Sequence, residues 1–137
     1  MQVKIENGKL LQAMSLLFNL PLKGKQSRHR TKLIKLLEAR SKEVEEQRIE
    51  LAKEHSNKDE DGNPKSSDGK YDIKNMEAFK KDLQELYEEE LVIEGGDNHG
   101  MLKTVKQILF NCEQEFKGID ATIYDYLCDQ FEGVEDK

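Results

Sequence analysis

SRHRTKLIKLLEARSKEVEEQRIELAKEHSN, residues 27–57, decides the fold. The stretch contains neither proline nor glycine. It opens on Ser27, a residue type that caps helices by accepting a backbone N–H. Nothing interrupts a helix from Arg28 to about Asn57, a length of roughly 45 Å at 1.5 Å per residue. Leu33, Ile34, Leu36 and Leu37 give its first turns a wide apolar face. Leu37, Val44 and Leu51 fall seven residues apart, and beyond Ala39 the face narrows toward this coiled-coil-like seam. Such a helix packs on a core at its start. Farther on it projects, leans on one neighbour, or pairs with a second copy along Leu37, Val44 and Leu51, which makes a homodimer one expectation.

Around this helix the chain reads as a mainly helical α+β domain. Residues 2–5, QVKI, alternate as a short strand, and Asn7-Gly8 breaks it. KLLQAMSLLFN (9–19) is apolar nearly all round, the mark of a central core helix, and Pro21 ends it. After residue 57 comes a polar loop, 58–70, with two Asp-Gly turn signals. YDI (71–73) reads as a strand. Asn75 caps a helix over 76–89, and LVIE (91–94) is a third strand. Asp97 or Asn98 caps a helix over about 100–116, and Asp120 caps a last one, 121–132. The expectation is thus about five helices in one domain, 1–137, beside a single small sheet of strands 2–5, 71–73 and 91–94. Residues 133–137 read as a flexible tail.

The charges are unevenly placed. The chain has 137 residues, 36% apolar and 36% charged, with a net charge of -6. Yet no acid occurs between Glu6 and Glu38, a segment that carries +7 and leaves -13 for residues 38–137. Lys23, Lys25, Arg28, Arg30, Lys32 and Lys35 crowd the start of the long helix. That end already carries about half a positive charge from its unpaired N–H groups. An anion is expected to answer them: this chain's own carboxylates, an acidic partner protein, or the phosphate of a nucleotide or nucleic acid held at the Ser27 helix start. Arg28, Lys32 and Lys35 share a helical face, whereas Arg30 diverges from Arg28. No aromatic residue interleaves the cations, and the net charge opposes non-specific binding to DNA.

Other constellations point away from catalysis. GKQS (24–27) lacks the upstream glycine and the Ser or Thr directly after lysine that a phosphate-binding P-loop needs. Asn57, Asp59, Asp61, Gly62 and Asp68 brush against a calcium loop, but Asp stands where a bidentate Glu belongs and Pro64 takes an apolar position. Cys112 and Cys128 read as two small buried thiols of a reducing compartment, and His29, His55 and His99 are scattered. Glu43, Glu45, Glu46 and Glu88–Glu90 read as solvated helix faces rather than a carboxylate pair in a cleft. Neither catalytic nor metal-ligating residues nor a cofactor are expected. No signal peptide is visible and no apolar run approaches the length of a membrane span.

VKIENGKLLQAMSLLFNL (3–20), LKGKQSRHRTKLIKLLEARSKEVEEQRIEL (22–51), DEDGNP (59–64), DGKYDIK (68–74) and EEELVIEGG (88–96) resemble a family of small uncharacterised proteins from phages and prophages of Gram-positive bacteria. The likeness spans most of the chain and is weakest after Gly118. It implies a viral protein at work in the bacterial cytoplasm, or in the virion. It carries over no catalytic residue. Some relatives look like products of the tail and lysis gene neighbourhood, which implies assembly. Small phage proteins of this size also block host defences, by binding a defence protein or sequestering a nucleotide signal. The reading is a non-enzymatic protein that binds a protein partner. The alternatives are a binder of an anionic ligand and a self-associating helical virion component.

Overall fold

A computed structural model describes residues 1–135. Its elements run β1 (Gln2–Glu6), a 3-10 turn at Asn7–Lys9, α1 (Leu10–Phe18), α2 (Gly24–Glu54), β2 (Ser66–Ser67), β3 (Lys70–Tyr71) and α3 (Met76–Glu88). β4 (Glu90–Glu94), a second 3-10 turn at Gly96–Asn98, α4 (His99–Phe110) and α5 (Ile119–Phe131) complete them. The mainly helical α+β reading holds. The single three-stranded sheet does not. β1 pairs antiparallel with β4, while β2 and β3 form a separate two-residue hairpin inside the stretch expected to be loop. Asp68 and Gly69 turn that hairpin with φ of 52° and 78°, the left-handed conformation such a two-residue turn requires. Tyr71 therefore pairs with Ser66, and Ile73 bridges to Ser56 at the end of α2. Neither reaches the β1–β4 sheet.

α2 organises the core. Leu33 and Leu37 are fully buried, Ile34 nearly so, and α1, α3 and α4 all pack against this helix. Val44 and Ala52 extend the buried stripe, and Leu51 packs against the core. The expected intermolecular seam is thus used up within one chain: Leu37 and Val44 face this protein's own interior. Of the three fates open to the distal half of α2, leaning on a neighbour is the one observed. His55 Nε2 lies 2.6 Å from Asp82 Oδ2 of α3, and its ring packs 5.7 Å from that of Phe79.

Three further expectations change. α1 is not buried all round, since Leu10, Ala13, Leu16 and Leu17 are buried while Leu11 and Phe18 are exposed. α4 stops at Phe110, so Cys112 and Phe116 lie beyond it in irregular chain. Asp120 sits in the first turn of α5 instead of capping it; Gly118 occupies the cap with φ of 60°. Asn75 does cap α3, accepting the Ala78 N–H at 3.1 Å. Of the expected tail, Val134 is 1% exposed and belongs to the core, and Asp136 and Lys137 lie outside the described residues.

A buried polar knot ties β1 to the helices. Asn7, 5% exposed, donates through Nδ2 to the Leu86 carbonyl of α3 at 2.8 Å. Its Oδ1 accepts from Arg40 Nε of α2 at 2.9 Å. Its backbone N–H donates to Glu89 O at 2.8 Å. One asparagine thus joins three elements far apart in sequence. Nearby, the Tyr126 hydroxyl of α5 accepts the Glu6 N–H at 2.9 Å.

Candidate binding surface at the start of the long helix

The chain leaves α1 through Leu20 and Pro21, extends at Lys23 (φ −141°, ψ 161°) and turns into α2 at Gly24, where φ is +62°. Glycine meets that left-handed conformation without steric cost. The helix therefore opens four residues earlier than a Ser27 cap suggests. Ser27 lies within its first turns and does not cap it, and α2 has no side-chain cap hydrogen bond. Instead the Ser27 hydroxyl accepts from Arg30 Nη2 at 3.4 Å.

Arg30 separates from the other cations. Its Nη1 donates to the carbonyls of Leu17 at 3.0 Å, Phe18 at 3.3 Å and Leu20 at 2.6 Å. These are the last carbonyls of α1 and its exit, which have no partner inside that helix and carry the negative end of its dipole. The expected anion is, for this arginine, a helix C-terminus. Arg30 is accordingly a structural clamp between α1 and α2, not part of an exposed binding face.

Lys25, Arg28, Lys32 and Lys35 follow one another at intervals of three and four, which places them on one face. All four are exposed, as is Lys23. Lys32 Nζ reaches only a backbone carbonyl, that of Asp97, at 3.4 Å. None of these five lysines and arginines forms an ion pair with any described residue, although the chain holds 28 acids. The ion pairs of α2 lie farther along, at Arg40–Glu43, Arg48–Glu45 and Lys53–Glu50. The internal salt-bridge network expected for residues 23–35 is therefore absent among the described residues. The acids that would serve lie on the distal half of α2 and on other faces.

The residue that sequence reasoning passed over is His29. It is half-buried within this cationic face, and its Nδ1 is buried without a hydrogen-bond partner. Its pKa is lowered, first by burial and then by the charges of Lys25, Lys32 and Arg28, against the pull of a backbone hydrogen bond at Gly100. The unfolded chain takes up this proton near pH 6.5 and the folded protein only at lower pH. Stability from a neutral His29 is therefore full above about pH 6.5 and is lost as pH falls from there toward the folded value. We expect His29→Gln to flatten the pH dependence of the melting temperature below about pH 6.5; an unchanged slope counts against the assignment. No periodicity flags this histidine, because the burial that leads its perturbation depends on how the chain packs around α2, which helical spacing does not show.

The other sequence candidates are not gathered. Asp59 Oδ1 accepts the N–H groups of Asp61 and Asn63, both at 2.9 Å, which is the geometry of a side-chain-closed turn. No group of three or more His, Cys, Asp or Glu side chains able to hold a metal forms among the described residues. Cys112 and Cys128 are half-buried free thiols, less enclosed than expected. Burial pushes the Cys128 pKa up, so its thiol stays protonated at neutral pH. Tyr124, whose hydroxyl donates to the Leu109 carbonyl, is pushed up to about 12 by burial first of all. No helix among the described residues is long and apolar enough to cross a membrane.

Comparison with known proteins adds a family and nothing more specific. No curated protein and no solved structure matches the chain. The family model described as "Protein of unknown function (DUF1617)" matches residues 1–137, and the chain belongs to that family.

Proposed function

We propose that this is a non-enzymatic binding protein, encoded by a phage or prophage, that engages an acidic surface of a protein partner in the bacterial cytoplasm or virion. Lys25, Arg28, Lys32 and Lys35 form the contact, with Lys23 beside them and Arg30 holding the helix that presents them. The observation that carries the reading is their isolation: four exposed cations share a helical face and meet no described carboxylate. Cations in the first turns of a helix oppose its dipole, so the arrangement costs stability in the free protein and is relieved by an outside anion. The partner class is a host-defence factor or a phage assembly component.

Charge reversal tests this. The triple variant K25E/R28E/K35E removes three cations, and in the first turn of α2, at residue 25, the new acid meets the helix dipole favourably, worth about 0.3–1 kcal/mol. Its melting temperature is expected to match or exceed that of the parent protein. Partner capture from infected cells is expected to vanish. Capture at the parent level overturns the proposal.

A second reading, an anionic small ligand or nucleic-acid phosphate at the same face, is favoured by one observation. His29, whose Nδ1 is buried without a partner while its ring meets the Gly100 backbone, lies where α2 meets the start of α4, and α4 has no side-chain cap. Mass spectrometry of molecules released on denaturation, with His29 as an NMR reporter, separates the two. A bound phosphate would raise the His29 pKa. No released ligand and an unmoved His29 leave the protein partner.

A further inference from the structure

The β1–β4 ladder leaves one edge of β4 open beside α2. Gly95 N–H donates to Met1 O at 3.0 Å and Asn7 N–H to Glu89 O at 2.8 Å. With the register Val3–Ile93 and Ile5–Leu91 between them, antiparallel alternation fixes the rest. Leu91 and Ile93 direct their backbone groups into the ladder. Glu90, Val92 and Glu94 direct theirs outward, to the free edge. Arg40 of α2 reaches the Glu90 carbonyl at 3.4 Å from that side, which shows that α2 flanks the edge. Between them lies a groove of about 420 Å³, lined by Leu36, Ala39, Arg40 and Glu43 of α2 and by the backbone and side chains of Leu91–Glu94.

An unpaired strand edge is a template for another strand. Natural proteins blunt such edges with bulges, prolines or inward charges. The Glu90–Glu94 edge, ELVIE, has neither bulge nor proline; only the charges of Glu90 and Glu94 and the reach of Arg40 to the Glu90 carbonyl guard it. Val92 is 42% exposed. A groove between a helix and an open strand is also where extended peptides add to a sheet, with main-chain bonds giving affinity and alternate side chains giving specificity.

We infer that this groove accepts an extended, basic segment of a partner protein as a third strand alongside β4. Charge selects the occupant. Glu90 and Glu94 flank Val92 on the exposed face of the sheet, and Glu43 stands on the facing helix. The acidic face continues along α2 through Glu46, Glu50 and Glu54. The one cation lining the groove, Arg40, is already engaged by Asn7, the Glu90 carbonyl and Glu43. The pleat sets the motif. A guest residue opposite Val92 is apolar, and those opposite Glu90 and Glu94 are lysine or arginine. The residues between point at the Leu36–Ala39 surface and are small and apolar. This groove adjoins the cationic face of α2, since Leu36 lies four residues after Lys32 and Ala39 four after Lys35, but the inference does not rest on the contact proposed for that face.

The test uses the whole protein and a synthetic peptide, acetyl-Thr-Lys-Val-Val-Val-Lys-Thr-amide. Amide exchange is expected to slow by about tenfold or more at Val92 and Glu94 in its presence, as newly formed ladder bonds protect them. A version with glutamate for both lysines is expected to bind at least tenfold more weakly. Ala39 is an exposed helical position and arginine is a good helix former, so Ala39→Arg fills the groove and is expected to abolish protection with the melting temperature kept. Unprotected Val92 and Glu94 amides at saturating peptide overturn the inference. So does equal binding of the glutamate peptide or by Ala39→Arg. A concentration-dependent dimer that Ala39→Arg dissolves also overturns it, since the occupant is then a second copy.

Discussion

Arg30→Ala is expected to destabilise the protein by about 2 kcal/mol, far more than removal of any other cation between residues 23 and 35. The guanidinium reaches three carbonyls, and the shortest bond, to Leu20 at 2.6 Å, crosses the turn that redirects the chain into α2. Hydrogen bonds to a charged group are each worth about 1.5–3 kcal/mol, but these carbonyls sit near the surface and water replaces part of the loss. For a chain of this size the melting temperature falls by roughly 6–10 °C. Arg30→Lys keeps the charge and loses the fork that lets one side chain serve several acceptors, so it recovers less than half of the difference. A loss within about 0.5 kcal/mol, the range of ordinary surface substitutions, would mean that Arg30 does not clamp α1 and belongs with Lys25 and Arg28 in the exposed face.

That contrast shows what could be read from residues 23–35 and what could not. Helical spacing alone groups Arg28, Lys32 and Lys35 and sets Arg30 apart. What lies opposite Arg30 depends on how α1 returns against α2, and Pro21 and Gly24 fix that return. The same limit explains Ser27. Its chemistry suits a cap, but an extended Lys23 and a left-handed Gly24 start the helix earlier. A glycine signals permission for such a conformation, not its use.

The seam follows the same logic. Leu37, Val44 and Leu51 recur every seven residues whether the partner helix comes from this chain or another. Periodicity records that a face is covered and is silent on what covers it. The strands were legible as segments, since buried Val3, Ile5 and Ile93 alternate with more exposed neighbours. Their pairing was not. YDI has the composition of a strand, yet the turn at Asp68-Gly69 commits Tyr71 to a local hairpin, leaving β4 with only β1 and its second edge open.

Asn7→Ala is expected to have the largest effect of any single truncation at a polar residue, about 3 kcal/mol. The substitution removes two side-chain hydrogen bonds from a position that is 5% exposed. The Leu86 carbonyl keeps only the Glu89 N–H at 3.3 Å. Arg40 Nε loses its acceptor, and the guanidinium keeps only longer contacts through its other nitrogens, Nη2 to the Glu90 carbonyl at 3.4 Å and Nη1 to Glu43 at 3.9 Å. A buried donor left unmatched costs more than the bond itself was worth. Asn7→Asp separates geometry from charge. The carboxylate keeps an acceptor for Arg40 but turns a second acceptor toward the Leu86 carbonyl, so the variant also loses stability, and more at neutral pH than at a pH low enough to protonate it. In a double-mutant cycle, Asn7→Ala and Arg40→Ala are expected to couple by about 1–2 kcal/mol, because each removes the other's partner. Arg40 also lines the groove beside β4, so slack at Asn7 passes through its side chain to the open edge. Peptide-dependent protection at Val92 is therefore expected to weaken in Asn7→Ala under conditions where the variant remains folded. Additive losses from the two alanines, or a cost for Asn7→Ala below about 1 kcal/mol, would mean that β1, α2 and α3 are held by apolar packing alone.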